Sequence, residues 1–348
     1  MTMPANRAEF RVSRALTAAA VRGQVIPTVA LDIVTTYYSP VDSAVYWVED
    51  LASYTGAADQ TDGGESSEIE AGRRMPGGAY EKVETGGRQV PVTLRHYGAE
   101  SDLSDDEARL AWRNFGMDRG EIHAGAALQQ LRVNRDRRLN GLLTATTFTN
   151  TAARSGIWTT STTANHYAKT DADTALDAII QQCGRPPSMV DMWIPKSMIN
   201  LLRTSPEMNF RDSNGGYVGQ AADPAIRQPD AQFQITLQNY FGVRSVKILN
   251  SVRNTAKFMR SGTGAYIFTG DDILFTVQGP PNDGNSGVLW VWSDAEGGAD
   301  SEPNPNAPME AIFSGRNPKD EEETYRAKEH GVFAVNVELA YLITAINA

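Results

Sequence analysis

From Ser104 to about Leu143 the chain offers a helix that no proline interrupts. Ser104 with Glu107 three residues on is a capping box, and Asp105 and Asp106 put negative charge where the helix dipole favours it. Apolar residues recur at helical spacing through Trp112, Phe115, Ile122, Leu128, Leu131, Leu139 and Leu142. Unbroken, such a helix is ~60 Å long at 1.5 Å per residue. Gly116, Gly120 and Gly125 each cost ~1 kcal/mol relative to alanine, so a bend or short break is expected there. A helix of this length exceeds what a small globular core requires, and it implies an elongated subunit. Its other face carries Arg132, Arg135, Arg137 and Arg138, for which pairing with carboxylates, within or between subunits, is the expectation.

The stretch before this helix has the opposite character. Between Gly56 and Gly87 there are eight glycines, and Asp59, Asp62, Glu65, Glu68 and Glu70 precede the first base at Arg73. Such a segment cannot bury enough surface to order itself as a core element. On one side, residues 25–54 mix short apolar runs with prolines and aromatics and read as extended chain. On the other, Val90, Val92 and Leu94 alternate with Gln89, Thr93 and Arg95, which is strand periodicity. Two extended flanks around a glycine-rich tip make a long β-hairpin arm. Long structureless loops are rare in compact domains unless they serve a purpose.

Residues 144–170 read as loop with short strands. Asp171–Cys183 reads as a second amphipathic helix, ended by Pro186-Pro187, with Asp171 and Asp173 at its capped start. A strand from Met189 to Ile194 leads through Pro195 into a third helix ending at Leu201-Leu202-Arg203. Residues 209–232 read as a surface loop. Strand candidates follow at Val243–Leu249, Ala265–Thr269, Ile273–Val277 and Val288–Trp292, with Asp271-Asp272 in a turn. Residues 294–308 are an acidic, proline-rich loop, and Asp320–Glu323 is a solvated charge run. Phe333, Val335, Val337, Leu339, Tyr341 and Ile343 alternate strictly, as one half-buried strand near the end of the chain.

Length and composition favour about two folded domains in 348 residues. The net charge of −10 argues against a protein that grips nucleic acid, because that affinity comes from Lys and Arg against phosphate. A wall that merely encloses DNA remains compatible. The first 31 residues run the other way, with Arg7, Arg11, Arg14 and Arg22 against Glu9. They read as a surface-lying arm that meets something acidic. No run of about 18 apolar residues exists to span a membrane. The single cysteine, Cys183, reads as a small core side chain, and His96, His123, His166 and His330 stand in no recognisable motif. No Walker loop, dinucleotide fingerprint, HExxH or GxSxG elbow is present. The expectation is therefore no catalytic, cofactor-binding or metal site.

The order of these parts resembles the HK97-type fold of tailed-bacteriophage major capsid proteins, nearest to the lambda-like capsid branch. Met192-Trp193-Ile194-Pro195-Lys196 followed by Leu201-Leu202-Arg203, and the final apolar strand, are similar to that branch. The resemblance implies an α+β fold divided as an N-terminal arm and start of a P-domain (1–50), an E-loop β-hairpin (51–102), a P-domain with a spine helix (103–169), a mixed α/β axial A-domain (170–324) and a returning C-terminal strand (325–348).

It also implies a non-enzymatic subunit that assembles into pentamers and hexamers of an icosahedral shell around double-stranded DNA. The expected place is the virion capsid, after assembly in the host cytoplasm. The expected partners are copies of itself, a separate scaffolding protein, a portal, a decoration protein and non-specifically held DNA. Inter-subunit contacts are expected of Arg7, Arg11, Arg14, Arg73, Arg74, Lys82 and Arg88, and of Glu65, Glu68 and Glu70. Some members of the family join subunits by a Lys–Asn isopeptide bond. Lys82, the only lysine before Lys169, is the one candidate donor in the hairpin. With no partner Asn or activating Glu placed, crosslinking is not expected. The rival readings are an encapsulin-like compartment of the same fold, a tail or decoration protein, and a hydrolase.

Overall fold

The computed structural model describes residues 11–12, 28–41, 43–49, 87–115, 119–144, 146–148, 150–158, 166–209, 229–254, 264–280, 284–295, 308–317 and 322–344. In chain order the elements are β1 (Arg11–Val12), α1 (Ala30–Ile33), β2 (Thr35–Tyr38), β3 (Ser43–Glu49), β4 (Gly87–Thr93), β5 (Arg95–Ser104), α2 (Asp105–Phe115) and α3 (Arg119–Leu142). Then come β6 (Thr151–Ala153), α4 (Tyr167–Cys183), β7 (Val190–Pro195), α5 (Lys196–Thr204), α6 (Pro206–Asn209), α7 (Asp230–Phe241), β8 (Ser245–Leu249), β9 (Val252–Asn254) and β10 (Gly264–Tyr266). The last are β11 (Ile273–Val277), β12 (Val288–Ser293), β13 (Glu310–Asn317), β14 (Glu322–Val335) and β15 (Ala340–Thr344).

Two larger sheets organise the chain. The first runs β1-β13-β14-β12-β2, with β5 also paired to β14. The second runs β6-β15-β11-β7-β8. The strands β7 and β11 are buried along their whole length, which is why they read as mostly apolar runs, broken by Asp191 and Thr276, rather than as alternating ones. Helices α4, α5 and α7 cover the second sheet through Leu176, Ile179, Met198, Leu202, Phe233 and Leu237. The spine helix α3 lies on the first sheet, packing Ala124, Ala127, Leu128 and Leu131 against Leu103, Ile312, Tyr325 and Ala327. A further core cluster joins the sheets, with Trp193, Leu274 and Leu342 from the second against Val288 and Trp290 from the first.

Several expectations are revised. The long helix is divided into α2 and α3 near Gly116 and Gly120, in line with the expected break, and Ser104 caps the first, accepting the Glu107 amide at 3.3 Å. Its expected apolar face does not hold throughout: Trp112 is 68% exposed and Ile122 51% exposed. At 100° per residue Ile122 falls far from the Ala124–Leu128–Leu131 stripe that meets the sheet. Helix α4 starts at Tyr167, so Asp171 lies inside it and is no cap. Instead its carboxylate accepts the Ser155 amide at 2.9 Å and the Trp158 indole N–H at 2.7 Å. The segment read as loop to 232 already contains the start of α7, whose spacing of Phe233, Leu237 and Phe241 was readable.

The final alternating run is two strands, not one. A 3-10 turn at Val337–Leu339 separates them, closed by the Leu339 amide on the Asn336 carbonyl at 3.2 Å. β14 belongs to the first sheet and β15 to the second, so the end of the chain stitches the sheets together. The expected boundaries at 102, 169 and 324 fall inside β5, α4 and β14. Strand pairing, which a linear reading does not see, also returns β12 and β13 to the first sheet.

Candidate functional site

The features that bear on function are the joints between the spine helix and its surroundings, and the surfaces left without a partner. At the centre is a ladder of charge. Arg132 on α3 grips Glu310 on β13, with its Nε 2.9 Å from Oε2 and 3.0 Å from Oε1. Arg135, one turn on, donates to Glu310 at 2.6 Å and from Nε to Glu329 on β14 at 2.7 Å. Arg138 completes the series on Glu329 and stacks its guanidinium 3.6 Å over the Tyr97 ring. Spacing of three residues puts all three arginines on one face of the helix. Burial works against the Glu310 charge, but Arg135 and Arg132 outweigh it and hold its carboxyl below the ordinary range. At Glu329, which is more completely enclosed, burial wins and the carboxyl is pushed up despite Arg135 and Arg138. Arg132, Arg135 and Arg138 thus pair within the subunit, on the side of the helix that meets the sheet rather than opposite its apolar residues, while Arg137 is exposed.

Asp136 sits on the adjoining turn and is fully buried. It accepts the amides of Val29 at 3.2 Å and Ala30 at 2.9 Å, and the hydroxyl of Ser251. One carboxylate therefore holds the root of the N-terminal segment, the spine helix and the turn between β8 and β9. Glu207 on α6 does similar work elsewhere, capping the Ala168 and Lys169 amides of α4 at 3.1 and 3.0 Å while accepting the Tyr240 hydroxyl at 2.7 Å. Burial and that carboxylate push the Tyr240 phenol well up. Asp191 takes Arg244 through two bonds of 2.8 and 2.7 Å. These carboxylates were hidden in the sequence, because an isolated Asp or Glu carries no signal of which distant amide it meets.

β3 and β4 form a two-stranded ribbon that no other strand extends among the described residues. Its paired flanks begin ahead of the boundary expected at 51, and β5 beyond it is part of the first sheet. The ribbon's base packs Val90, Val92 and Leu94 onto Leu289, Val291 and Ala334. Its other face shows Val45, 50% exposed, opposite Pro91. An isolated two-stranded hairpin is marginal in water.

Of the residues expected at subunit contacts, Arg11 lies in β1, opposite Ser314, and Arg88 lies in β4, opposite Val48. Arg7, Arg14, Arg73, Arg74, Lys82, Glu65, Glu68 and Glu70 fall outside the described residues. The Cys183 thiol contacts the Ile179 carbonyl at 3.0 Å, and burial pushes its pKa up. His96 stacks on His330 with ring centroids 3.9 Å apart, while His123 meets Ser101 at 2.8 Å. Among the described residues no group of three or more His, Cys, Asp or Glu could hold a metal, and no helix is long and apolar enough to cross a membrane.

No family model and no curated protein matches the chain. Solved structures do. A phage-related protein from Bordetella bronchiseptica RB50 matches with a TM-score of 0.62 over 97% of this chain and 98% of its own, at 12% identity. The capsid of cyanophage P-SCSP1u matches at 0.54 over 100% of this chain and 93% of its own, at 12% identity. A virus-like particle from Pyrococcus furiosus matches at 0.51 over 94% and 96%, at 9% identity. The chain thus has the HK97-type α+β fold of such capsid and particle proteins.

Proposed function

We propose that this protein is the major capsid subunit of a tailed bacteriophage, a structural protein that builds an icosahedral shell of hexamers and pentamers around double-stranded DNA. The observation that carries the reading is the likeness to the cyanophage capsid along the whole chain. The anatomy agrees with it. A two-stranded ribbon and exposed Trp112 and Val45 are liabilities for a lone globule and useful when siblings cover them. Each contact is modest, but a subunit held at several places gains by effective concentration. The acidic body encloses DNA without adhering to it, and the basic first residues suit a scaffolding protein or the packaged genome. A portal and a decoration protein complete the expected partners, and the subunit carries out no catalysis.

Negative-stain micrographs of the purified protein, with particle mass measurement, test this. Closed shells or rings of five and six are the expected result, and particles from the native source should contain DNA. A compact monomer at high concentration overturns the proposal. Particles filled with a cargo enzyme instead of DNA would favour a compartment of the same fold.

A further inference from the structure

The edge strand β6, the strand β15 and the first half of α4 enclose a cavity of about 190 Å³ at the margin of the second sheet. Its one charged wall residue is Asp171, 8% exposed. A carboxylate so enclosed normally has a cation beside it. Among the described residues none pairs with it, and Lys169, two residues earlier, turns to Asp173 at 2.8 Å. The neighbouring stretches 159–165 and 345–348 contain no Lys or Arg. Tyr341 lines the same cavity, 7% exposed, and its phenol meets no hydrogen-bond partner among the described residues. Burial, and then the Asp171 charge, push that phenol up, so it stays neutral.

The threonines of α4 add lone pairs to this wall rather than protons. Thr170 and Thr174 each donate their one hydroxyl proton to a carbonyl four residues back, of His166 at 2.8 Å and of Thr170 at 2.9 Å. Both oxygens are left as acceptors. The positive end of α4 is already covered, because Glu207 accepts the Ala168 and Lys169 amides. An anion would meet these lone pairs and the Asp171 charge. A divalent metal ion would need more carboxylates than one. We propose that the cavity binds a primary ammonium group on an aliphatic stem, with the ammonium on Asp171 and Tyr341 and the stem against Ala152 and Ile343. The three N–H bonds of such a group suit a wall of acceptors. A free alkylamine and a lysine side chain of another protein share that chemistry. The site does not depend on the capsid reading.

Titration calorimetry of the purified full-length protein with n-butylammonium chloride, against sodium chloride at equal ionic strength, tests this. Saturable binding of the amine, not reproduced by sodium butyrate, is the expected result. Tyr341→Phe removes an oxygen that no described residue bonds, so it should melt like the parent. It should bind the amine about tenfold more weakly, the size of one hydrogen bond to a charged group. Asp171→Asn should abolish binding. Because Asp171 also holds the Trp158 indole at 2.7 Å, a variant that does not fold leaves Tyr341→Phe to decide alone. Tighter binding of Nα-acetyl-lysine amide than of butylammonium points to a protein side chain as the source, and the reverse to a free amine. No saturable binding to the parent, equal competition by sodium ions, or unchanged affinity in folded Tyr341→Phe overturns the proposal and leaves the capsid reading untouched.

Discussion

Arg135 on the spine helix donates from Nε to Glu329 on β14 at 2.7 Å, and both side chains are almost wholly out of solvent. The pair fixes where the helix sits along the sheet, because a slip of one residue in either element would separate two buried charges. Apolar contacts alone, Leu128 and Leu131 on Ile312 and Ala327, would tolerate such a slip more easily. Removing one partner of a buried pair costs about 3–5 kcal/mol. Arg135→Leu should therefore lower the urea-denaturation stability of the subunit by about that amount. Replacing Arg135 and Glu329 together should recover much of the loss. A single variant as stable as the parent would show that the pair is not a fixing point.

The acid limb of stability should involve Glu310. Its pKa lies below the ordinary 4.5 because Arg135 and Arg132 outweigh its burial. A carboxylate depressed in the folded state contributes stability that is present above the ordinary pKa and lost as pH falls through the folded one. Glu310→Gln should be less stable than the parent at neutral pH, and the gap should narrow steadily as pH falls below 4.5. Melting curves from pH 7 to 3 measure this. A gap that stays constant over that range contradicts it.

Asp136→Ala should loosen three elements at once. It removes an acceptor from the Val29 and Ala30 amides and from Ser251 in a buried site. Leaving such donors unsatisfied costs about 1–3 kcal/mol. Hydrogen exchange should accelerate at Val29 and Ala30, with far smaller changes in β7 and β11.

Gly287→Ala should strongly destabilise the native fold. A methyl at Gly287 would stand 2.5 Å from the Leu339 carbonyl oxygen and against the Thr276 hydroxyl. Backbone on one side and buried sheet on the other leave no room to yield. Expression of insoluble protein, or a melting point lowered by many degrees, is the expected outcome.

Deleting residues 60–86 should leave a soluble subunit unable to build shells. The deletion lies between β3 and β4 and spares both sheets. Normal particles in electron micrographs would contradict it. Denaturing electrophoresis of assembled particles should show one band near 37.9 kDa, whereas a ladder would reveal a covalent bond through Lys82.

Local chemistry was legible along the chain by itself. The Ser104 cap, the strand at Ile273–Val277 and the start of α5 after Pro195 were readable because each depends on neighbours a few residues away. Their order was enough to suggest the architecture. The alternation from Phe333 to Ile343 was also visible, but not that Asn336 turns the chain from one sheet into the other. Period-2 burial persists across such a turn, so the pattern cannot report it. Nor could the chain alone show that Trp112 faces solvent, or that Asp136, Asp171 and Glu207 each meet a distant amide. A buried carboxylate is placed by partners as far as 194 residues away, as Glu329 is by Arg135, and only the folded backbone brings them within hydrogen-bonding distance. Sequence determined many of the elements and their order, but not α7, β13 or the first half of β14, whose opening Glu322-Glu323 reads as a solvated charge run. Tertiary structure decided which charges are buried in pairs, because that depends on contacts between segments far apart in the chain.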